Sequence, residues 1–474
     1  MARGVNTRLL AWVAEALAGA GGTLLVENGL GGREGSRWSG AAIDSRADCS
    51  GRLFFALRGE KTDGHRYVYD AFAAGCSAAV VGDAAMRDEL ESRGVPYLLV
   101  SDTASALREL ARAYRHELDV RVVAITGSAG KTTTKEFVRQ ILKAKYRVFA
   151  NPGNYNSTIG VPVTILETEP DTEYLVCEIG ANHSGEIHFL SSLLRPHFGV
   201  ITNIGDAHVG LFGSVENIAR AKGELLDVLD PGGYALLPAD DAFIEELKRR
   251  SRSKVATFGC DALADFRLGA VEQRDGSLAF EVNDRQYVIQ SLGEYNALNA
   301  CAAVAVGELC GVEAALIRSA LEQVPPTPGR GKTHRVAGIT VVDESYNANP
   351  ASMRRSLAML SGLAAGRRLA VLGDMKELGE YSSDLHRALG QALAGTRVDA
   401  VFWMGEEGGT VQEGFTKSGG RVPFHLHHDL DSLLSDVRGW VREGDALLVK
   451  ASHACNLDAF VDRLLRALEA AGGE

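Results

Sequence analysis

Apolar residues along the chain alternate between two periods. Short apolar runs such as LFFAL (53–57) and SAAVVG (77–82) read as buried strands. The stretch ASALRELARAYRHEL (104–118) instead repeats its apolar positions at helical spacing. An amphipathic first helix is expected in LLAWVAEALAGAGG, whose apolar stretch Glu15 interrupts. The runs VRVVAIT, EYLVCEIG and HFGVITNIG predict further strands. SLAFEVNDRQYVIQ predicts a hairpin turning at Asn283-Asp284. The proline-rich segment 324–331, VPPTPGRG, disfavours helix and marks a linker. Beyond it ITVVDE, RRLAVLGDM, DAVFWMG and DALLVKAS alternate with helical stretches, the pattern of βαβ units on a parallel sheet. The expected fold class is therefore α/β in three domains: a small α/β unit over residues 1–118, a central mononucleotide-binding domain with a mostly parallel sheet over 119–328, and a Rossmann-like domain over 329–474.

Composition narrows the function. The 474 residues hold 50 Lys+Arg against 61 Asp+Glu, a formal charge of −11, and no basic face stands out to follow a nucleic-acid backbone. The seven cysteines (49, 76, 177, 260, 301, 310 and 455) are odd in number and contain no CxxC pair, which suits a reducing compartment. No apolar run approaches the roughly 18 residues of a membrane span. A cytoplasmic protein with no nucleic-acid or membrane partner is expected.

The segment AITGSAGKTTTKEF (124–137) carries the clearest chemistry. An apolar strand runs into Gly127-Ser128-Ala129-Gly130-Lys131-Thr132-Thr133, and a helix begins near Thr132. Backbone amides and a helix N-terminus would thus converge on one anion. The loop is shorter than the usual phosphate loop, because Ile125 stands where its first glycine would be. Lys131 would reach terminal phosphates and Thr132 would bind magnesium.

Glu178 ends the strand YLVCE, at the carboxyl edge where ligands of parallel sheets bind. His208 follows another strand, in TNIGDAH. Lys222, in ENIARAKGE, is harder to place. An ammonium about 4 Å from a divalent ion would be repelled by ~8 kcal/mol at an effective dielectric of 20. Lys222 therefore faces solvent, pairs with Glu224, or has reacted with carbon dioxide to give an anionic carbamate. The histidines of FHLHHD (425, 427 and 428) lack spaced partners and read as a solvated turn.

Taken in order, GSAGKTT, NPGNYNSTIGVP, EIGANHSGEI, TNIGDAHVGLFGS, AKGE, YNALNACAA, PGRG, DESYNANPASM, LGDMKELGE and VKAS resemble the Mur ligase family over nearly the whole chain, from about Ile43. The short loop is that family's normal form. DESYNANP and LGDMKELGE point within it to the branch that adds D-alanyl-D-alanine to UDP-N-acetylmuramoyl-tripeptide with ATP, through an acyl phosphate. The resemblance implies a UDP-side N-terminal domain, an ATP-binding central domain and a C-terminal domain for the amino substrate, in a monomer.

By matching position it implies that Lys131 and the amides of Gly127 to Thr133 hold the ATP phosphates. Thr132 and Glu178 take a first magnesium ion, and His208 and carbamylated Lys222 a second. Asn296 lies at adenine, Arg330 at the terminal phosphate and Glu344 at ribose. Lys131, Glu178, His208, Lys222 and Arg330 form the catalytic group. Ser45, Arg46 and Lys61 would serve the UDP side, Asn154 and Asn156 the muropeptide, and Asp374, within the stretch Asp374 to Leu378, the dipeptide. Tyr295, Ser157, Glu344 and His453 depart from the family pattern. A ligase adding the third amino acid, or a phosphate-loop NTPase acting as a switch, are the competing expectations.

Overall fold

The computed structural model of the chain describes residues 8–20, 26–60, 62–274 and 276–471. Its strands form three sheets, one after another along the chain. In the first, Ala41–Ala42, Leu53–Phe55, Ala78–Val81 and Tyr97–Val100 are parallel, and Val26–Gly29 closes one edge antiparallel to Tyr97–Val100. The expected first helix spans Leu10–Ala18, and the helix Thr103–Glu117 is capped by Asp102, whose side chain accepts from the Ser105 amide at 2.6 Å.

The second sheet has nine strands. Val148–Ala150, Tyr174–Glu178, Arg121–Thr126, Phe198–Ile201, Tyr234–Pro238, Lys254–Gly259 and Phe266–Arg274 lie side by side in that order, all parallel. Ser277–Val282 and Arg285–Ile289 then turn back as an antiparallel meander. The predicted hairpin is present: Asn283 and Asp284 join the Val282–Arg285 pair at φ +48° and +62°, the left-handed backbone that a two-residue turn requires. Along Arg121–Thr126, Val122 and Ala124 enter one apolar core while Val123 and Ile125 enter the other, as a parallel strand covered on both faces must.

The third sheet runs Lys332–Val336, Ile339–Asp343, Ala446–Lys450, Arg368–Gly373, Ala400–Met404, Phe424–His427, parallel except for its first pair. Its four inner strands are those expected, and both edge strands are additions. Phe424–His427 corrects the reading of FHLHHD as a solvated turn. The segment pairs with Ala400–Met404, and alternation puts His425 and His427 on one face, 2.9 and 3.2 Å from the same oxygen of Asp436. His425 also stacks on Phe402 at 4.8 Å. Among the described residues no group of three or more His, Cys, Asp or Glu is placed to hold a metal. No described helix is long and apolar enough to cross a membrane.

The first two sheets share one continuous apolar core. Arg8 lies over Trp38 and Tyr114 and donates to the Leu166 and Thr168 carbonyls at 3.0 and 2.9 Å, and the Tyr114 hydroxyl also donates to Thr168. Buried Arg115 donates to the Leu194 carbonyl at 2.7 Å. The third sheet meets the second along a seam where Val209, Phe212 and Ile218 share an apolar core with Met375 and Leu378. There a Cβ on Gly210 would lie 2.4 Å from the Gly379 nitrogen, Tyr381 donates to the Gly213 carbonyl, and Arg354 pairs with Asp206 at 3.3 Å.

Candidate active site

Strand register brings the site together. Ile125 pairs with Glu178 and Thr126 with Ile201, so three parallel strands end side by side where the loop begins. Gly127 and Gly130 sit at φ +148° and +81°. A Cβ on them would come 1.9 Å from Thr202 Oγ1 and 2.3 Å from Asn299 Oδ1, so only glycine lets the loop pass between its neighbours. The helix Lys131–Lys143 starts at once, and its first-turn amides have no helical acceptor.

The loop is propped from behind. Asn203 accepts from the Ala129 amide through its side chain and from the Ser128 amide through its carbonyl, while its own amide group and the Thr202 hydroxyl donate to the Ala129 carbonyl. Two of the loop amides expected to cradle phosphate are therefore committed to the protein, which narrows the cradle toward Gly130 to Thr133. Lys131 folds back to donate to the Gly127 carbonyl at 2.9 Å.

A cavity of about 570 Å³ opens above this edge, lined by Lys131, Glu178, His208, Lys222, Asn296, Arg330 and Glu344 together with Asn156 and Lys376. Eight of these nine were expected by number and Lys376 lies in the stretch expected at the dipeptide; they come from the helices, loops and strand ends around the second and third sheets. The Thr132 hydroxyl donates to Glu178 Oε2 at 2.5 Å and Asn156 donates to Oε1 at 2.8 Å. Asn151 pins the Glu178 backbone on both sides, accepting from its amide and donating to its carbonyl.

Lys222 is neither solvated nor paired with Glu224. It lies 3% exposed on the inner face of the helix Val215–Asp227, and Glu224 instead accepts from the Gly185 and His188 amides. Burial, aided by the Lys131 charge, pushes the Lys222 ammonium down to about 7. Burial likewise pulls Lys131 below the ordinary lysine range, opposed by Glu178 and reinforced by Arg330. His208 stands at φ +63° with Nδ1 2.5 Å from Glu377 Oε2, across the seam.

At the opposite wall Arg330 lies 4.0 Å over the Tyr346 ring, whose other neighbour is His453. Glu344 is buried and accepts from Tyr295 and Ser356, and Lys450 stands 3.1 Å from it. Burial alone would raise this carboxyl, yet Lys450, Ser356 and Tyr295 together hold it below the usual range. Two residues that depart from the family pattern, Tyr295 and Glu344, thus meet each other. Asn296 donates to Ser291 Oγ and the Leu292 carbonyl at 2.8 Å each.

Other expected positions stand apart. Ser45 and Arg46 lie outside the cavity, and exposed Arg46 closes on Asp44 at 2.7 Å. Asn154 is exposed and also outside, and Lys61 lies outside the described residues. Asp374 is 1% exposed and saturated. Trp403 Nε1, the amides of Glu406 and Glu407, and Lys376 Nζ all donate to its carboxylate at 3.0–3.1 Å, so no oxygen is left for a ligand. Sequence reasoning missed Lys135, which donates to the Asn151 carbonyl at 2.7 Å from inside the core. Its place on the apolar stripe of its helix, in register with Val138 and Leu142, was a usable signal.

Sequence models of one family match three successive stretches: "Mur ligase family, catalytic domain" over residues 38–115, "Mur ligase middle domain" over 125–307 and "Mur ligase, glutamate ligase domain" over 329–453. The UDP-N-acetylmuramoyl-tripeptide–D-alanyl-D-alanine ligase of Bacillus subtilis (strain 168) is 35% identical over 430 residues, 90% of this chain and 93% of its own. The chain belongs to the Mur ligase family. The Escherichia coli (strain K12) ligase of the same name is 33% identical over 90% of this chain and 93% of its own. Among solved structures, MurF from Acinetobacter baumannii superposes with a TM-score of 0.80 at 32% identity, covering 90% of this chain and 93% of its own. The Thermotoga maritima MurF ligase in complex with ADP gives 0.77 at 28% identity, covering 92% and 98%. This Mur ligase shares with them a three-domain α/β fold whose sheets are mostly parallel.

Proposed function

We propose that this Mur ligase joins D-alanyl-D-alanine to UDP-N-acetylmuramoyl-tripeptide at the expense of ATP. One observation carries the reading: a phosphate loop, a buried carboxylate and side chains of the third sheet converge on one cavity, in a chain matched over 90% of its length by ligases of that name. One further feature supports a cytoplasmic protein: all seven cysteines are free.

A carboxylate is a poor acyl donor because oxide leaves badly. One of its oxygens therefore attacks the γ-phosphorus, ADP departs, and an acyl phosphate forms. The dipeptide nitrogen then attacks the acyl carbon, phosphate leaves and the nitrogen loses a proton. Such transfer depends on positioning and charge neutralisation more than on a protein nucleophile. Lys131 and the amides of Gly130 to Thr133 hold the phosphates, and Arg330 faces them from the other wall. Asn296 and Glu344 serve the adenosine side.

The Thr132 hydroxyl and the Glu178 carboxylate are the hard oxygen donors that magnesium takes together with phosphate and water. When bound, magnesium neutralises charge on the phosphoryl group being transferred. A second ion would take His208 and Lys222. The latter fits only as a carbamate, in which the neutral amine bonds to the carbon of carbon dioxide and releases a proton. Burial that brings the amine down to about 7 gives it a substantial neutral fraction near neutral pH, the form that step needs. Asn156 faces the muropeptide, with Ser45, Arg46, Lys61 and Asn154 on the approach from the first sheet. Closure of the third domain about residues 324–331 completes the site and excludes water.

The test is to mix the protein with ATP, magnesium, UDP-muramoyl-tripeptide and D-alanyl-D-alanine, following phosphate release and the mass of the UDP-linked product. Release that requires both peptides, with one dipeptide gained per product, is expected. Equal turnover without them, or a product lacking the dipeptide, overturns the proposal.

A further inference from the structure

Glu178 stands at the last position of the strand Tyr174–Glu178. On its inner side the neighbouring strand reaches that far, with Ile125 opposite Glu178, but on its outer side the pairing ends at Ala150 and Val176. Past that end, the Glu178 amide and carbonyl have no strand to meet. The side chain of Asn151 takes the strand's place. A primary amide carries the same donor and acceptor as a peptide group. Oδ1 accepts from the Glu178 amide at 2.9 Å, and Nδ2 donates to the Glu178 carbonyl at 3.1 Å.

The same residue reaches two other parts of the site. Nδ2 also donates to the Tyr155 carbonyl at 3.0 Å, beside Asn156, whose own side chain donates to Glu178 Oε1 at 2.8 Å. One loop thus grips Glu178 by its backbone and by its carboxylate. From inside the core, Lys135 donates to the Asn151 carbonyl at 2.7 Å. Lys135 is 1% exposed, with Glu136 as its counter-charge at 3.3 Å, and it stands about one helical turn after Thr132, whose hydroxyl donates to Glu178 Oε2. Thr132, Lys135, Asn151 and Glu178 therefore close a ring of contacts through the helix and the strand ends. A closed ring fixes the spacing of the two oxygen donors offered to magnesium as no single contact can. Both side-chain donors of Asn151 are spent and the residue is 1% exposed, so it acts through its neighbours and not on a ligand.

The geometry points to Asn151 as the positioning residue that sets Glu178 against Thr132 for the metal and also fixes the loop facing the muropeptide, with Lys135 anchoring it to the phosphate-loop helix. This rests on the ligase reading above. The metal pocket and the muropeptide pocket then share one support, so a single substitution that touches neither ligand should weaken both.

The test reads three affinities in the full chain, in Asn151→Ala and in Lys135→Met. Mn2+ is titrated into the ADP-bound protein, the free ion being read by electron paramagnetic resonance. UDP-muramoyl-tripeptide, without nucleotide or metal, and ADP in EDTA are titrated by calorimetry. Loss of a group that orients a metal ligand typically costs about 10- to 100-fold in metal affinity, and Asn151→Ala should weaken Mn2+ accordingly. Loss of the hydrogen bond to the Tyr155 carbonyl should weaken the muropeptide by about 2- to 10-fold. ADP affinity in EDTA should stay within about twofold, because the amides of Gly130 to Thr133 are untouched. Lys135→Met keeps the Asn151 side chain and removes only its anchor, so smaller shifts in the same two affinities are expected, and it decides the matter should Asn151→Ala not fold. Unchanged Mn2+ and muropeptide affinities, loss of one without the other, or an equal fall in all three overturns the assignment and leaves the ligase reading standing. A wild type that binds neither ADP nor UDP-muramoyl-tripeptide overturns both.

Discussion

Replacing Lys222 with methionine tests the most unusual group in the site without any substrate. A tenfold change in proton affinity is worth about 1.4 kcal/mol. The fall from 10.5 to about 7 thus makes the buried ammonium about 5 kcal/mol costlier in the fold than in the unfolded chain. Water entry and relaxation trim such penalties to several kcal/mol, so about 2–4 kcal/mol is expected at pH 6. The sign follows from proton binding: between pH 7 and 10.5 the unfolded chain holds a proton that the folded chain has released. The penalty is therefore full below 7, and stability recovers as pH rises through that window. Lys222→Met should be more stable than the wild type at pH 6, with the gap shrinking steadily toward pH 10. All four tryptophans (12, 38, 403 and 440) lie outside the central sheet and its helices, and the three domains need not unfold together. The readout is hydrogen exchange of Arg121–Thr126 and Val215–Asp227, metal-free, compared at matched pH. Added bicarbonate should slow exchange in the wild type alone. A Lys222→Met protein that is less stable at pH 6, or an advantage that does not vary with pH, refutes the reasoning.

Gly130→Ala forces a Cβ onto Asn299 at φ +81°, and should lower kcat/KM for ATP by about 100-fold with little change in overall secondary structure, checked by coupled phosphate release and circular dichroism. Tyr295→Phe removes one of the donors to buried Glu344 and should cost about 1–3 kcal/mol, seen as a raised ATP KM and a lower Tm. Asp284→Gly places the residue preferred at φ +62° in a two-residue turn. It should stabilise the hairpin by about 0.5–1 kcal/mol, measured by hydrogen exchange of Ser277–Val282, because the exposed Arg267–Asp284 pair contributes little.

What could be read from sequence was what chemistry or periodicity makes local. The phosphate loop declares itself because an apolar strand, two glycines and a lysine adjoin, and the inner strands of the third sheet are short apolar runs. The edge strand Phe424–His427 hid because histidines fill positions where aliphatic residues would show the alternation, and Lys332–Val336 hid because KTHRV has one apolar residue. The surroundings of Asp374 were hidden for a different reason. Its saturation depends on Trp403 and on amides some thirty residues away, a convergence visible only once parallel strands end together. Tyr295 and Glu344 each stood out as departures, but that they touch is a long-range fact of the fold.

The seam at Gly210 and Gly379 leaves no room for even a methyl group, and the space it encloses is of the size that takes one drug-sized molecule. ATP, the peptide end of the muropeptide and the dipeptide have to meet there. Each turnover must therefore prise these two loops apart to admit cargo and again to discharge it. How stiff that hinge of contact is depends on backbone abutting backbone there and equally on the side chains that bridge it, Tyr381, Arg354 and Glu377.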